Sequence, residues 1–470
     1  MLHQRLTFLL AVPLAVCTVL LLFRAPARGA VPQADVLSDT VVDPSVLHLP
    51  GASWNTTVNG MAFQQHAIAS HNGWQYTTWW DSERRLCIAR RPSPSGAWQV
   101  IRFEDYTIRS SDTHNVTVLG ICAADGAIHL AFDHHGHPLH YRVSRAGVAT
   151  RPESHKWTAD LFGPVKGELE PGKAVTGVTY PRFIPRPDGG LQLMFRQGGS
   201  GQGDWMLADY KAGQGWSQPR MLISGAGKYG MSESRCAYLN GIAYDAKGRM
   251  HLSWVWRESG DPMTNHDLCY AYSDDGGDTW KNGAGKHVAS RGEEPLSIST
   301  PGICFQRVDM FRGLMNSTTQ TVDSRGRVHI VTFHLMDETP SQLNWEQTRK
   351  QCRYMHYWRD TNGQWRRTVL GFMGTRPQVC ADSADNLYLV VTGDEFIDDR
   401  DLVLLGAASR GTWGDWREVK RLRGPFTGQP QLDRTRGDNV LAVYLQEYPD
   451  DPKAPSSPLR VIEFRTGTQR

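Results

Sequence analysis

The chain has 470 residues, with 51 Lys and Arg against 48 Asp and Glu and a formal charge of +3. So near-neutral a balance excludes an electrostatic footprint for nucleic acid, and the length exceeds one ordinary domain unless the chain is a repeat. Sixteen Trp and 46 Gly suit many short strands joined by tight turns, and long helical periodicity is nearly absent.

In chain order, residues 1–30 read as a secretory signal peptide. Arg5 precedes an apolar run from Leu6 to Phe23, and Ala25-Pro26-Ala27 offers a small-x-small cleavage site. The alternative is an uncleaved N-terminal anchor, because a run of roughly 18 residues is borderline for spanning. Leu14-Ala15-Val16-Cys17 is a poor lipidation signal. A secreted or periplasmic protein is expected, a monomer, with no membrane association beyond such an anchor. Residues 31–45 read as a loose lead-in and 46–470 as one domain. Without the leader the cysteines are Cys87, Cys122, Cys236, Cys269, Cys304, Cys352 and Cys380. An odd, scattered set is not a disulfide framework, so buried thiols or metal ligands are expected.

A unit then recurs: an apolar strand, a turn with Gly or Asn, and a second strand rich in aromatics. The turns are Asn72-Gly73, Asp125-Gly126, Asp188-Gly189-Gly190, Lys247-Gly248, Arg325-Gly326, Asp385-Asn386 and Gly437-Asp438-Asn439. Third strands follow at Leu139–Ser144, Trp205–Tyr210, Leu268–Ser273 and Tyr354–Trp358. Fourth strands are announced by Trp98, Trp216, Trp280, Trp365 and Trp416. Four strands per repeat, seven times, predicts an all-β fold, a seven-bladed β-propeller of four-stranded antiparallel blades, with six or eight blades as the alternatives. Ser273-Asp274-Asp275-Gly276-Gly277-Asp278-Thr279-Trp280 fits the Asp-box, a structural turn that speaks for fold and not function.

The hairpin of the second unit carries a histidine at each end of its rim. Val116–Ile121 and Ile128–Phe132 flank the Asp125-Gly126 turn, so His114 and His134 fall side by side. Propeller topology puts His114, Asn115, His134 and His135 on one face. Tyr180, Arg182, Arg196 and Trp205 of the next repeat share it, then Arg235, Tyr238, Arg257 and His266. Carboxylates are scarce on this face, whereas glycoside hydrolysis usually needs two. His, Tyr and Arg instead suit abstraction of a weakly acidic proton beside a carboxylate, with a cation neutralising that carboxylate. That is β-elimination on a uronate polymer, an acidic polysaccharide partner.

Asp112-Thr113-His114-Asn115, Asp133-His134-His135, Thr179-Tyr180-Pro181-Arg182-Phe183 and Phe195-Arg196-Gln197-Gly198 resemble the BNR-repeat seven-bladed propeller lyases, above all the ulvan lyases. Those cleave a rhamnose-3-sulfate–uronate polymer. The resemblance implies Tyr180 as general base and acid, with His114 assisting proton transfer. His134 would help hold the carboxylate and Arg196 would neutralise it, while Asn115, Arg235, Tyr238 and Arg257 would line the sugar sites. The relatives carry a structural zinc. His266, Cys304, His334 and Cys352 share the face and make a candidate structural zinc set, with Cys269 or Cys236 as substitutes and separate buried thiols as the alternative. No catalytic cofactor is expected.

Plainer readings stand beside these. His129 and His251 read as structural, His135 and His137 as shaping their loop, and Arg84-Arg85 with Arg90-Arg91 as a solvated face. Two rival functions are a glycosidase on the same scaffold, rhamnosidase or sialidase-like, and a non-catalytic carbohydrate-binding propeller. Arg182-Phe183-Ile184-Pro185 resembles the sialidase arginine motif, which favours the first.

Overall fold

The computed structural model describes residues 31–52, 55–339, 343–393, 400–437 and 439–468. The expected signal peptide lies outside them. Among the described residues no helix is long and apolar enough to cross a membrane.

The fold is nearly all β, with one short α-helix, α1 (Trp345–Gln351), among the described residues. The first nine strands are β1 (Pro32–Leu47), β2 (Ile68–His71), β3 (Trp74–Trp80), β4 (Arg85–Pro92), β5 (Gln99–Thr107), β6 (Thr117–Ile121), β7 (Ile128–Phe132), β8 (His135–His137) and β9 (Tyr141–Val143). β2 to β5 form one antiparallel sheet, and β6, β7 and β9 a second. The next two meanders begin at Val178–Pro185 and Cys236–Tyr244. One parallel bridge, Gly203 to Cys236, joins them into a sheet of twelve strands, β8 at its edge included. Four-stranded sheets follow from Thr319 and from Gln378. The last sheet takes Phe426–Leu432, Val440–Glu447, Ser456–Thr468 and, from the other end of the chain, β1. Among the described residues no sheet closes on itself.

The expectations for the lead-in and for the second sheet change. Residues 31–45 are not a loose lead-in, because β1 pairs antiparallel with Ser456–Thr468 from Pro32↔Thr468 to Leu47↔Ser456. Its alternating burial is too irregular to read as a strand without that partner. The second sheet has three strands rather than four. Pro152 opens a 3₁₀ turn, and isolated bridges to Phe162 and Lys166 hold the outer position; prolines donate no ladder hydrogen bond.

Successive sheets pack face to face, and their inner strands exchange polar bonds. The Leu119 amide donates to the His66 carbonyl at 2.9 Å. Arg182 donates to Gln65 Oε1 at 3.1 Å and to the Leu239 carbonyl at 3.3 Å. Thr318 donates to Asn240 Oδ1 at 2.7 Å, Arg434 to Gln378 Oε1 at 2.6 Å, and Ser70 to Asp433 Oδ2 at 2.6 Å. Two glycines permit the close approach. A Cβ on Gly120 would lie 2.4 Å from Phe183 Cβ, and one on Gly241 2.5 Å from Gln320 Cβ. Outside this polar centre the sheets bury Trp79, Trp80, Trp205, Trp254, Trp256, Trp280 and Trp413, each removing about 150–250 Å² from water. The Asp-box is structural as expected: Asp275 Oδ1 accepts from the Ser273 hydroxyl at 2.7 Å and the Thr279 amide at 2.9 Å.

Arg91 is not on a solvated face. It lies fully buried on β4 and pairs at 3.2 Å with Glu463 of the last sheet, also fully buried. Removing one partner of such a pair strands a charge. Glu463→Met alone is expected to lower unfolding free energy by about 3–5 kcal/mol, and the double change with Arg91→Met by markedly less. Equal losses from denaturant melts of the single and double variants would contradict the coupling.

Candidate active site

The two rim segments of the β6–β7 hairpin, one before β6 and one after β7, are tied to each other. Asn115 Nδ2 donates to Asp133 Oδ1 at 2.6 Å, and the Tyr106 hydroxyl to Asp133 Oδ2 at 2.7 Å. Asp133 has φ +62°. That left-handed step breaks strand alternation, and the chain leaves β7 to form β8, which pairs with Val178–Pro185 through Thr179↔His135 and Val178↔His137. The same strand carries a register shift between Thr179 and Arg182 against Leu191–Gly199. Tyr180 sits in this bulge with φ +55°. Pro181 has no N–H to lose there, which is where a strand tolerates proline.

A cavity of about 670 Å³ opens at this rim, and His114, Tyr180 and Arg257 line it. Phe63 stacks on His114 with centroids 5.1 Å apart, and His135 stacks on His114 at 4.2 Å. The Tyr180 ring lies 6.0 Å from that of His114. Behind it, the Arg196 guanidinium lies 4.8 Å from the Tyr180 centroid and donates to the Tyr238 hydroxyl at 3.2 Å. Arg349 and Arg376, which the sequence reading missed, also line the cavity, as does Arg400; none of the described lining residues is a carboxylate. Arg349 comes from α1, whose only sequence signal is the Asn344-x-x-Gln347 capping box: Asn344 Oδ1 accepts from the Gln347 amide at 2.9 Å.

The environment sets opposite biases on the two central groups. Burial pulls His114 below its ordinary value of 6.5, and Asp112 only partly restores it. Burial, then the neighbouring Tyr238, pushes Tyr180 above its ordinary 10.0. Both are therefore neutral near pH 7. Burial opposes the charge of Arg196, but Cys236, Tyr180 and Tyr238 together raise it. Burial also opposes ionisation of Asp112, and hydrogen bonds from His114 and His135 outweigh that, holding its carboxyl well below the carboxylate range.

The structure brings together His114, Tyr180, Arg196, Tyr238 and Arg257. Of these, His114, Tyr180 and Arg257 line the cavity, with Arg196 and Tyr238 behind them; the other expected residues do not join the cluster. His134 is buried, and its Nε2 accepts from the His140 amide at 2.8 Å. Asn115 is spent on Asp133. Arg235 is buried in a bidentate pair with Glu258 at 2.7 and 3.1 Å. Arg182 of the sialidase-like motif serves the inner strands.

The expected zinc set does not form. His266 lies between Glu258 (2.9 Å) and Asp267 (3.3 Å), and although burial opposes its charge, those carboxylates raise its pKa. His334 donates from Nδ1 to the Leu335 carbonyl at 2.7 Å and accepts at Nε2 from Tyr357 at 2.8 Å. Cys352 is buried in the apolar cluster around Phe333. Cys304 stands opposite Cys269 on paired strands. Among the described residues, the group whose ligand atoms lie close enough to hold an ion is Asp112, His114 and His135. Their two imidazoles are stacked at 12°, so the Nδ1 directions run side by side rather than converge. One carboxylate spanning two N–H donors fits that geometry better than one ion.

Among the described cysteines Cys304 is the exposed one, and the Cys269 thiol beside it holds it below the ordinary thiol value. One thiol should thus react rapidly with a disulfide reagent in the native protein at neutral pH. Cys304→Ser is expected to abolish that fast phase; its persistence would place the reactive thiol elsewhere.

Comparison with known proteins sets this site in context. The family described as "BNR repeat-containing family member" matches residues 74–372. The ulvan lyase, long isoform, of Pseudoalteromonas sp. (strain PLSV) is 24% identical over 370 residues, 69% of this chain and 36% of that protein. That of Alteromonas sp. (strain LOR) is 23% identical over 312 residues, 57% of this chain and 31% of that protein. The chain thus spans about a third of the length of the curated relatives it matches. The crystal structure of polysaccharide lyase Uly1 superposes with a TM-score of 0.71 at 19% identity, covering 92% of this chain and 99% of that one. A PL25 ulvan lyase bound to -[GlcA(1-4)Rha3S]- gives 0.64 at 14% identity, covering 90% and 95%. These structures share the fold. The family match takes in more than half of the 470 residues, and the chain belongs to the BNR repeat-containing family.

Proposed function

We propose that the antiparallel meanders close as a seven-bladed β-propeller, and that the cavity is the site of a secreted polysaccharide lyase cleaving an ulvan-like rhamnose–uronate polymer by β-elimination. Support for closure comes from the inner-strand bonds that run from sheet to sheet, and from β1, which completes the last sheet. The observation that carries the function is one wall holding His114 and Tyr180, with Arg257 and Arg376 beside them and no carboxylate among the described lining residues. A hydrolase with a carboxylate pair is poorly served by that lining. The named activity of the relatives, ulvan lyase, accords with it.

In this reading Arg257 and Arg376 neutralise the uronate carboxylate, which makes the C5 proton removable. Arg196 stands behind Tyr180 and Tyr238 rather than on the cavity wall, and acts by holding those phenols. Asp112 commits His114 Nδ1–H, so Nε2 takes the C5 proton. The C5–H electron pair becomes the C4=C5 double bond, and the C4–O4 bond breaks. The Tyr180 hydroxyl gives its proton to O4. The roles follow from the biases above: a neutral imidazole can accept, and a phenol kept protonated can donate.

The test is incubation with ulvan while following the ultraviolet absorbance of unsaturated uronate. Wild type should generate it. His114→Ala and Tyr180→Phe should each lose about 10²-fold or more in kcat. New reducing ends without absorbance would mean a hydrolase, and neither signal a binding protein.

The pH profile is a second check. Activity needs His114 neutral, and its pKa lies below 6.5, so the acid limb should fall below pH 6.5. Activity also needs Tyr180 protonated, so any loss from its ionisation should come above pH 10. A limb centred between those values would reassign the base or the acid.

A further inference from the structure

Asp112 and His135 fell outside the expected site, yet both bear directly on His114. Asp112 Oδ1 accepts from His114 Nδ1 at 2.5 Å and from the His114 amide at 3.0 Å. Asp112 Oδ2 accepts from His135 Nδ1 at 2.6 Å. The His114 ring is thus held in two ways. Phe63 and His135 sandwich its faces at 8° and 12° from parallel, and the carboxylate fixes its rotation and its Nδ1–H tautomer. His135 also reaches the other proton-transfer group. It pairs with Thr179, the residue before Tyr180, and the adjacent Gly136 amide donates to Thr179 Oγ1 at 2.8 Å. One three-residue strand therefore sets the spacing between the imidazole and the strained tyrosine.

We propose that Asp112 and His135 are positioning residues for His114: a single carboxylate shared by two stacked imidazoles orients the base, and His135 limits how much of that carboxylate's charge His114 receives. This rests on the reading of His114 as the proton acceptor. As His114 becomes an imidazolium, the carboxylate offsets the new charge, and the neighbouring imidazole competes for it. Among the described residues, the ionisable or charged groups facing His114 include Asp112 from its own loop, His135 from β8, Tyr180 from Val178–Pro185 and Arg196 from Leu191–Gly199. Among them Asp112 raises the His114 pKa, whereas His135 and Arg196 lower it.

The signature is a pair of opposed shifts. Asp112→Asn should lower kcat by about tenfold or more, part of the roughly 10²–10⁴ that a general base contributes, with KM little changed and the acid limb moved to lower pH. His135→Phe, which keeps the stack, should move that limb to higher pH. His135→Gln, which can still donate to Asp112 but takes no charge, should move it the same way and serves if the Phe variant fails to fold. Thermal melts confirm that each variant assayed is folded. If wild type makes unsaturated uronate and His114→Ala does not, while Asp112→Asn and the His135 variants keep wild-type kcat and an unmoved limb, the positioning role is wrong and the base assignment stands. Full activity in His114→Ala would remove the base assignment itself.

Discussion

Antiparallel pairing of β1 with Ser456–Thr468 puts the two ends of the chain into one sheet, and the rest of the structure depends on that joint. Each meander is local and inexpensive in chain entropy, but its sheet is apolar on both faces and needs a neighbour on each side. Without β1 the last sheet would lose its outer strand, and the buried Arg91–Glu463 pair would lose its enclosure. Loop-closure entropy grows only with the logarithm of the separation, so bringing distant segments together costs little more than closing a loop of moderate length. The return is continuous burial of tryptophan and a centre in which inner-strand polar groups bond one another.

The candidate site exists because sheets meet, and no single sheet contains it. His114 enters before β6, Tyr180 lies on the next meander, Arg257 ends a strand of the one after, and Arg376 precedes Gln378–Ala381. Tyr180 holds a left-handed backbone that a bulky residue adopts only when its surroundings compensate. Phe63 packs on one side at 4.9 Å, and the Arg196 guanidinium lies 4.8 Å from the ring. The strained residue is thus clamped by groups from other elements, which suits a tyrosine that must present its hydroxyl in one direction.

Burial acts in opposite senses on the two central side chains, because it disfavours whichever form is charged. The imidazole is kept neutral by resisting protonation and the phenol by resisting ionisation. A weak base and a weak acid, both uncharged, then stand 6.0 Å apart ring to ring beside cations that favour an anionic ligand. Neither bias requires an unusual residue, only exclusion of water from a rim where segments of several sheets converge.

Much of this was legible in the amino-acid sequence. Turn residues at recurring intervals marked the meanders, since Asn-Gly and Asp-Gly steps have few other uses, and the hairpin placed His114 at the rim. Other features were decided by tertiary structure. Which of two adjacent histidines reaches His114 turns on the left-handed φ of Asp133, which sends His135 toward the site and buries His134. Arg235 reads as a sugar contact until Glu258 claims both of its donors, and the expected zinc set dissolves because each member finds a nearer partner. Local pattern determines where strands and turns fall. It cannot determine which partner a polar side chain satisfies when it is buried, because the competing donors and acceptors come from segments far away in the chain.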